Sequence, residues 1–160
     1  MTDTIFEKYR PKSIDDFIIC QNTYNSILFY IEKMYHGNIR AVLLHGPSGC
    51  GKTSFARMMA DGIGAYGFNL LEANNASERG IDYAKELKSY IEYPTLDDSP
   101  RVLILDEAHG LTKQAQDALL ITIEKLPAKN YMFFCTTAPD QLSKTIRTRC
   151  LPIDFRYIVD

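Results

Sequence analysis

The sequence has little of what would fix a class at once. Its four cysteines, Cys20, Cys50, Cys135 and Cys150, form no C-x-x-C pair, which argues against a zinc site or a disulfide framework. Eighteen basic and 20 acidic residues leave a net charge of −2, so no global field selects or excludes a polyanion. Any nucleic-acid footprint has to be local. No apolar run approaches ~18 residues, the length that a membrane span requires, and the first residues (Thr2, Asp3, Glu7, Lys8, Arg10) are polar and charged, unlike a secretory leader. Repeats and low-complexity tracts do not occur. What is there is a chain of 160 residues, 46% hydrophobic, which suits one globular domain with a sizeable core. The expectation is a soluble, intracellular protein with no membrane partner.

Residues 46 to 53 read Gly-Pro-Ser-Gly-Cys-Gly-Lys-Thr, a complete G-x-x-x-x-G-K-[ST] string behind the apolar run Ala41-Val42-Leu43-Leu44. In such a phosphate loop the glycines turn backbone N–H groups onto phosphate oxygens, Lys52 sets a cation on the β- and γ-phosphates, and the Thr53 hydroxyl reaches Mg²⁺. A helix is expected from about Gly51 to Ile63, because Phe55, Met58, Met59 and Ile63 recur at near-helical spacing. Its positive end adds to the anion site. The nucleotide-binding candidates are therefore Gly46, Pro47, Ser48, Gly49, Cys50, Gly51, Lys52, Thr53 and Ser54, and the ligands implied are a nucleoside triphosphate and Mg²⁺. A second string, Arg101-Val-Leu-Ile-Leu-Asp-Glu-Ala108, fits a strand buried on both faces that ends in two carboxylates. In a phosphate-loop fold Asp106 belongs beside Mg²⁺, and Glu107 is placed to polarise a water aligned on the γ-phosphate. The plainer alternative has Asp106 capping the loop and Glu107 solvated.

Helix and strand signals alternate along the chain, which implies a parallel sheet covered on both faces. Strands are expected near 41–45, 68–73, 101–106, 130–137 and 151–155, and helices near 22–36, 51–64, 80–92, 112–126 and 140–146. In the helix after the acidic pair, Ala115, Ala118, Leu119, Thr122, Ile123 and Leu126 recur at i, i+3, i+4 steps, and Pro127 ends it. Pro152 assigns the last strand to a sheet edge. The fold class expected is α/β: a P-loop NTPase three-layer fold, with a five-stranded parallel sheet and helices on both faces.

Several further strings, in this order, carry a family resemblance. Glu7-Lys8-Tyr9-Arg10-Pro11-Lys12 is followed by Asp16-Phe17-Ile18-Ile19. After the phosphate loop comes Asn74-Asn75-Ala76-Ser77-Glu78-Arg79-Gly80-Ile81-Asp82, then the acidic strand, Ala118-Leu119-Leu120 with Glu124, Thr136-Thr137, and Thr148-Arg149-Cys150. Over nearly its whole length the chain resembles the AAA+ ATPases of DNA sliding-clamp loaders. These are the small subunits of replication factor C and the gamma/tau subunits of the bacterial DNA polymerase III loader. The differences from that pattern are Cys20 where many relatives have glycine, Thr148 for the serine of S-R-C, and Ile121 for a bacterial lysine. The bacterial zinc-bearing insertion has no counterpart.

The resemblance implies roles that the residue chemistry leaves open. An arm over residues 1–22, with Tyr9, Arg10, Pro11, Ile18 and Ile19, would wrap the adenine. Thr137, thirteen residues before Cys150, would be the sensor 1 residue that orients the attacking water, and Arg149 the arginine finger reaching a neighbouring subunit's γ-phosphate. Each also has an ordinary reading, as a β-branched strand residue and as a solvated surface charge. Arg79 and Gly80 at one helix start, and Thr112, Lys113 and Gln114 at another, would face DNA phosphates, positioning DNA without reading sequence. A plain solvated helix face is the alternative there, since Glu78, Asp82 and Glu86 are interspersed with Lys85 and Lys88. The partners implied are other loader subunits, the sliding clamp and primer-template DNA, in the cytoplasm or nucleoid of a bacterial or viral system or in a eukaryotic nucleus. Residues 1–160 are then expected to be a nucleotide-binding core without the helical lid and collar of the family. Two other functions share part of the pattern: a non-hydrolysing nucleotide-binding scaffold, and another AAA+ DNA motor such as a branch-migration helicase.

Overall fold

The structure is a computed structural model that describes residues 39–75, 80–93, 95 and 98–155, with residues 25, 28–29, 31–34 and 36 before them. The expected adenine arm and Arg79 lie outside the described residues, and of the expected 22–36 helix residues 25, 28–29 and 31–34 are described and helical. The elements that follow are β1 (Ala41–His45), α1 (Lys52–Ile63), β2 (Leu70–Asn74), α2 (Ile81–Glu92), β3 (Arg101–Asp106), α3 (Lys113–Glu124), β4 (Asn130–Thr136), α4 (Lys144–Arg149) and β5 (Leu151–Asp154). Five parallel strands form one sheet in the order β2-β3-β4-β1-β5.

The inner strands are apolar along their middle positions because each alternate residue enters a different core. Ala41 and Leu43 of β1, Leu103 and Leu105 of β3, and Met132 and Phe134 of β4 face α2, α3 and α4. Val42 and Leu44, Val102 and Ile104, and Tyr131, Phe133 and Cys135 face the other way, onto α1 and Met34. This two-sided burial turns a period-2 pattern into a continuous hydrophobic run. Helix α1 meets the sheet through Phe55, Ala56, Met59 and Ala60. Helix α2 does so through Ala84, Leu87 and Ile91 on the opposite face. The expected three-layer architecture is the one observed. Pro152 lies in β5, at the sheet edge as its missing N–H requires.

The last helix differs from the expected 140–146. Residues Pro139–Gln141 form a single 3₁₀ turn, and α4 begins only at Lys144, behind the N-cap Ser143. Both Pro139 and Ser143 are helix-start signals, and Gln116 of α3 decides between them. Its carboxamide is buried, donates to Leu111 O at 3.0 Å and Gln141 O at 3.2 Å, and accepts the Ser143 N–H at 2.7 Å. Arg149 is accordingly the last residue of α4.

Candidate nucleotide site

The carboxyl ends of the strands bring the chemical groups together. In register, His45 of β1 lies beside Thr136 of β4, and Asp106 of β3 beside Asn74 of β2. Chain leaving β1 turns at once into the phosphate loop, whose first residue, Gly46, donates its N–H to Thr136 O at 3.3 Å. Gly46 has φ +153°, and a Cβ there would stand 2.9 Å from Phe155 Cβ, so the residue has to be glycine. Gly49 and Gly51 are left-handed, with φ 76° and 96°, and Gly51 ends the loop as the N-cap of α1. This N-cap has no side-chain partner for the first helical N–H groups, which leaves the α1 terminus as a source of donors and positive potential.

Ser48, Gly49, Gly51, Lys52, Thr53, Ser54, Asp106 and Glu107 line one cleft of about 250 Å³. Lys52 is buried and its Nζ donates to Gly46 O at 2.9 Å and Pro47 O at 2.6 Å, with Cys50 Sγ at 3.7 Å. The ammonium is thus held at the rim of the loop without a carboxylate partner in those contacts. Beneath the loop, burial pushes the Cys135 thiol well above its ordinary value, and the nearby Asp106 carboxylate adds to the shift. Asp106 closes β3, and its Oδ1 accepts the Glu107 N–H at 3.1 Å. The donor set fits a hard divalent cation such as Mg²⁺, because Thr53 brings a hydroxyl and Asp106 a carboxylate to the lining of the cleft, both oxygen donors. Among the described residues no cluster of three His, Cys, Asp or Glu forms a cation cage of its own.

Other candidates are less close. Thr137 follows β4 directly and is exposed; with Gly46, Pro47, Asp140 and Arg147 it lines a neighbouring cleft of about 650 Å³, not the one that holds Lys52 and Asp106. Arg149 lies outside both clefts, where its Nε and Nη2 meet Glu124 Oε1 at 2.7 and 2.5 Å. Gly80 is the N-cap of α2. Thr112 caps α3, its Oγ1 accepting the Ala115 N–H at 3.3 Å, and Lys113 and Gln114 are exposed in the first turn.

Two residues that sequence reasoning passed over belong to the surroundings of the site. Gln116 was indistinguishable by type from a solvated helix residue. His109, three positions after Asp106, lies with Nδ1 3.4 Å from Glu107 Oε2 and 3.0 Å from Thr136 Oγ1. The Asp-Glu-Ala-His string was its only sequence signal.

A phosphate loop on β1 and an acidic pair at the end of β3, two places away in a parallel sheet, define a P-loop NTPase fold. The model of the family described as "ATPase family associated with various cellular activities (AAA)" matches residues 42–156, and the chain belongs to this family of ATPases. It is 32% identical over 150 residues to the replication factor C small subunit of Methanocella arvoryzae, which covers 90% of this chain and 45% of that protein. It is 30% identical over 178 residues to the DNA polymerase III subunit gamma/tau of Mycobacterium tuberculosis, covering 96% of this chain and 30% of that protein. Among solved structures, the Thermotoga maritima RuvB Holliday junction branch migration motor superposes with a TM-score of 0.73 at 25% identity, over 91% of this chain and 48% of that one. The chain thus spans less than half the length of each. Among the described residues no helix is long and apolar enough to cross a membrane.

Proposed function

We propose that the chain is the nucleotide-binding core of a sliding-clamp loader subunit, which uses ATP binding and hydrolysis to open and load the clamp on primer-template DNA. The observation that carries the reading is the convergence of Lys52, Thr53, Asp106 and Glu107 in one cleft at the carboxyl ends of β1 and β3. Both groups of named relatives support the clamp-loading part. In this reading the loop N–H groups and the α1 terminus bind the phosphates, and Lys52 neutralises charge on the β- and γ-phosphates. Thr53 and Asp106 would hold Mg²⁺, which would offset negative charge on the phosphates. Glu107 orients a water and takes its proton as the oxygen bonds to the γ-phosphorus and the bond to the β,γ-bridging oxygen breaks, giving ADP and inorganic phosphate. Thr137 would touch the same water once the two clefts are bridged by nucleotide. Arg149 would act on a neighbouring subunit's nucleotide, and Gly80, Thr112, Lys113 and Gln114 would receive DNA phosphates. The arm residues Tyr9, Arg10, Pro11, Ile18 and Ile19 would complete the adenine pocket.

The test is ATP turnover by the chain with its partner subunits, with and without clamp and primer-template DNA. Turnover stimulated by both, lost in Glu107→Gln with nucleotide binding intact, and lost in Arg149→Ala, is the expected result. Indifference to clamp and DNA would refute clamp loading. The likeness to the RuvB motor favours one second reading, an ATPase driving branch migration. Stimulation by a four-way junction instead of a primed template would select it. A Glu107→Gln substitution without effect on turnover would favour a nucleotide-binding scaffold.

A further inference from the structure

We propose that His109 is a positioning residue for Glu107, tying the carboxylate to the end of β4 and, through it, to the phosphate loop. The inference rests on the ATPase reading above and deepens it.

Glu107 occupies the left-handed region, with φ 49° and ψ 46°. A non-glycine residue stays there only where its surroundings hold it. The strand ends at Asp106, and Gly110 donates its N–H to Glu107 O at 2.9 Å, closing the 3₁₀ turn that carries His109 back over the carboxylate. His109 Nδ1 then faces two oxygens at once, Glu107 Oε2 at 3.4 Å and Thr136 Oγ1 at 3.0 Å. Thr136 is fully buried, and its Oγ1 also accepts the Ala138 N–H at 3.0 Å. Its carbonyl accepts the N–H of Gly46, the first residue of the loop. A continuous path of hydrogen-bonding groups thus runs from Gly46 through Thr136 and His109 to Glu107.

The chemistry assigns the proton. A hydroxyl can accept twice, so Nδ1–H can donate to Thr136 Oγ1 while Glu107 Oε2 stands 3.4 Å from the same nitrogen. The opposite tautomer would set the Nδ1 lone pair against the carboxylate and leave Oε2 without a donor there. His109 is therefore a donor at Nδ1, and its electrostatic contact with Oε2 restricts Glu107 to the rotamers that keep one oxygen near the imidazole and leave the other for water. A structural role for His109, such as propping the turn, predicts lost stability without a selective effect on the chemical step.

Two experiments test it. In the nucleotide-free chain, ¹⁵N spectra of the three histidines, assigned by single substitutions, should report an Nδ1–H tautomer for His109 that changes in Glu107→Gln and in Thr136→Val. An Nε2–H tautomer, or a His109 signal that neither substitution moves, overturns the proposal. In ATP turnover, His109→Leu should lower kcat about tenfold with KM within about twofold, the pattern of a lost transition-state interaction. His109→Asn, whose amide can stand near Nδ1, should recover most of the rate, and His109→Gln should not. Equal loss in Asn and Gln, or a loss expressed in KM, overturns the proposal. The comparator is Glu107→Gln: if that variant turns over normally, the ATPase reading itself fails, whereas an inactive Glu107→Gln beside an unaffected His109→Leu sinks this inference alone.

Discussion

Replacing Gln116 by methionine, which keeps the length of the side chain but removes its hydrogen bonds, isolates the polar junction between α3 and the segment leading to α4. Three contacts are lost: those to Leu111 O, Gln141 O and Ser143 N. The one to Leu111 O is buried, and leaving that carbonyl unpaired costs about 1–3 kcal/mol. The other two are partly buried, and at about 0.5–1.5 kcal/mol each they bring the total to roughly 2–6 kcal/mol. Because methionine fills nearly the same volume, little of this is a cavity term. Set against a domain stability of about 5–15 kcal/mol, the loss is large enough to read without ambiguity in a urea titration. The midpoint should fall while the denaturant dependence stays unchanged. A loss under about 1 kcal/mol would refute the accounting. Ser143 is also the N-cap of α4, so the Arg149-bearing helix should loosen in parallel, measured as faster amide exchange at Ile146 and Arg147.

Gly46→Ala should destabilise the chain by about 1–3 kcal/mol and weaken nucleotide binding, because its Cβ would meet both Phe155 and the Cys50 sulfur; urea unfolding and a fluorescent-nucleotide titration measure the two effects. Burial raises the Cys150 thiol from 9.0 to about 12. The folded state therefore keeps its proton longer than the unfolded state, and the associated stability, complete below pH 9.0, should be lost on the way to pH 12. The slope is about 1.4 kcal/mol per pH unit, and Cys150→Ala, compared with wild type by unfolding at mildly and strongly alkaline pH, should flatten the profile. Glu124 and Arg149 are both more than a third exposed, so a double-mutant cycle of Glu124→Gln with Arg149→Ala should return a coupling below about 1 kcal/mol. A larger value would mean that the pair organises α4.

What could be read from the sequence and what could not divide along one physical line. The strands were legible because β1, β3 and β4 are buried on both faces, and a run such as Val102-Leu103-Ile104-Leu105 has no other comfortable home in a soluble fold. The phosphate loop was legible because its glycines answer to local backbone geometry, as at Gly49 and Gly51. The start of α4 was not, since two local signals competed and a side chain 27 residues earlier in sequence chose between them. Nor could His109 be found, because its relation to Thr136 exists only once β3 and β4 lie side by side. Polar groups in the core, Gln116 above all, break the apolar period for reasons visible only in three dimensions.

The edge position of β5 limits how copies or relatives of this chain can join. A strand of four residues, one of them a proline, offers too short and too interrupted a row of backbone donors and acceptors to template another strand. Growth by lengthening the sheet is therefore closed off on that side. Units that join on that side have to be held by side chains on loops and helix ends, contacts that a bound ligand can tighten or release without unzipping a backbone ladder.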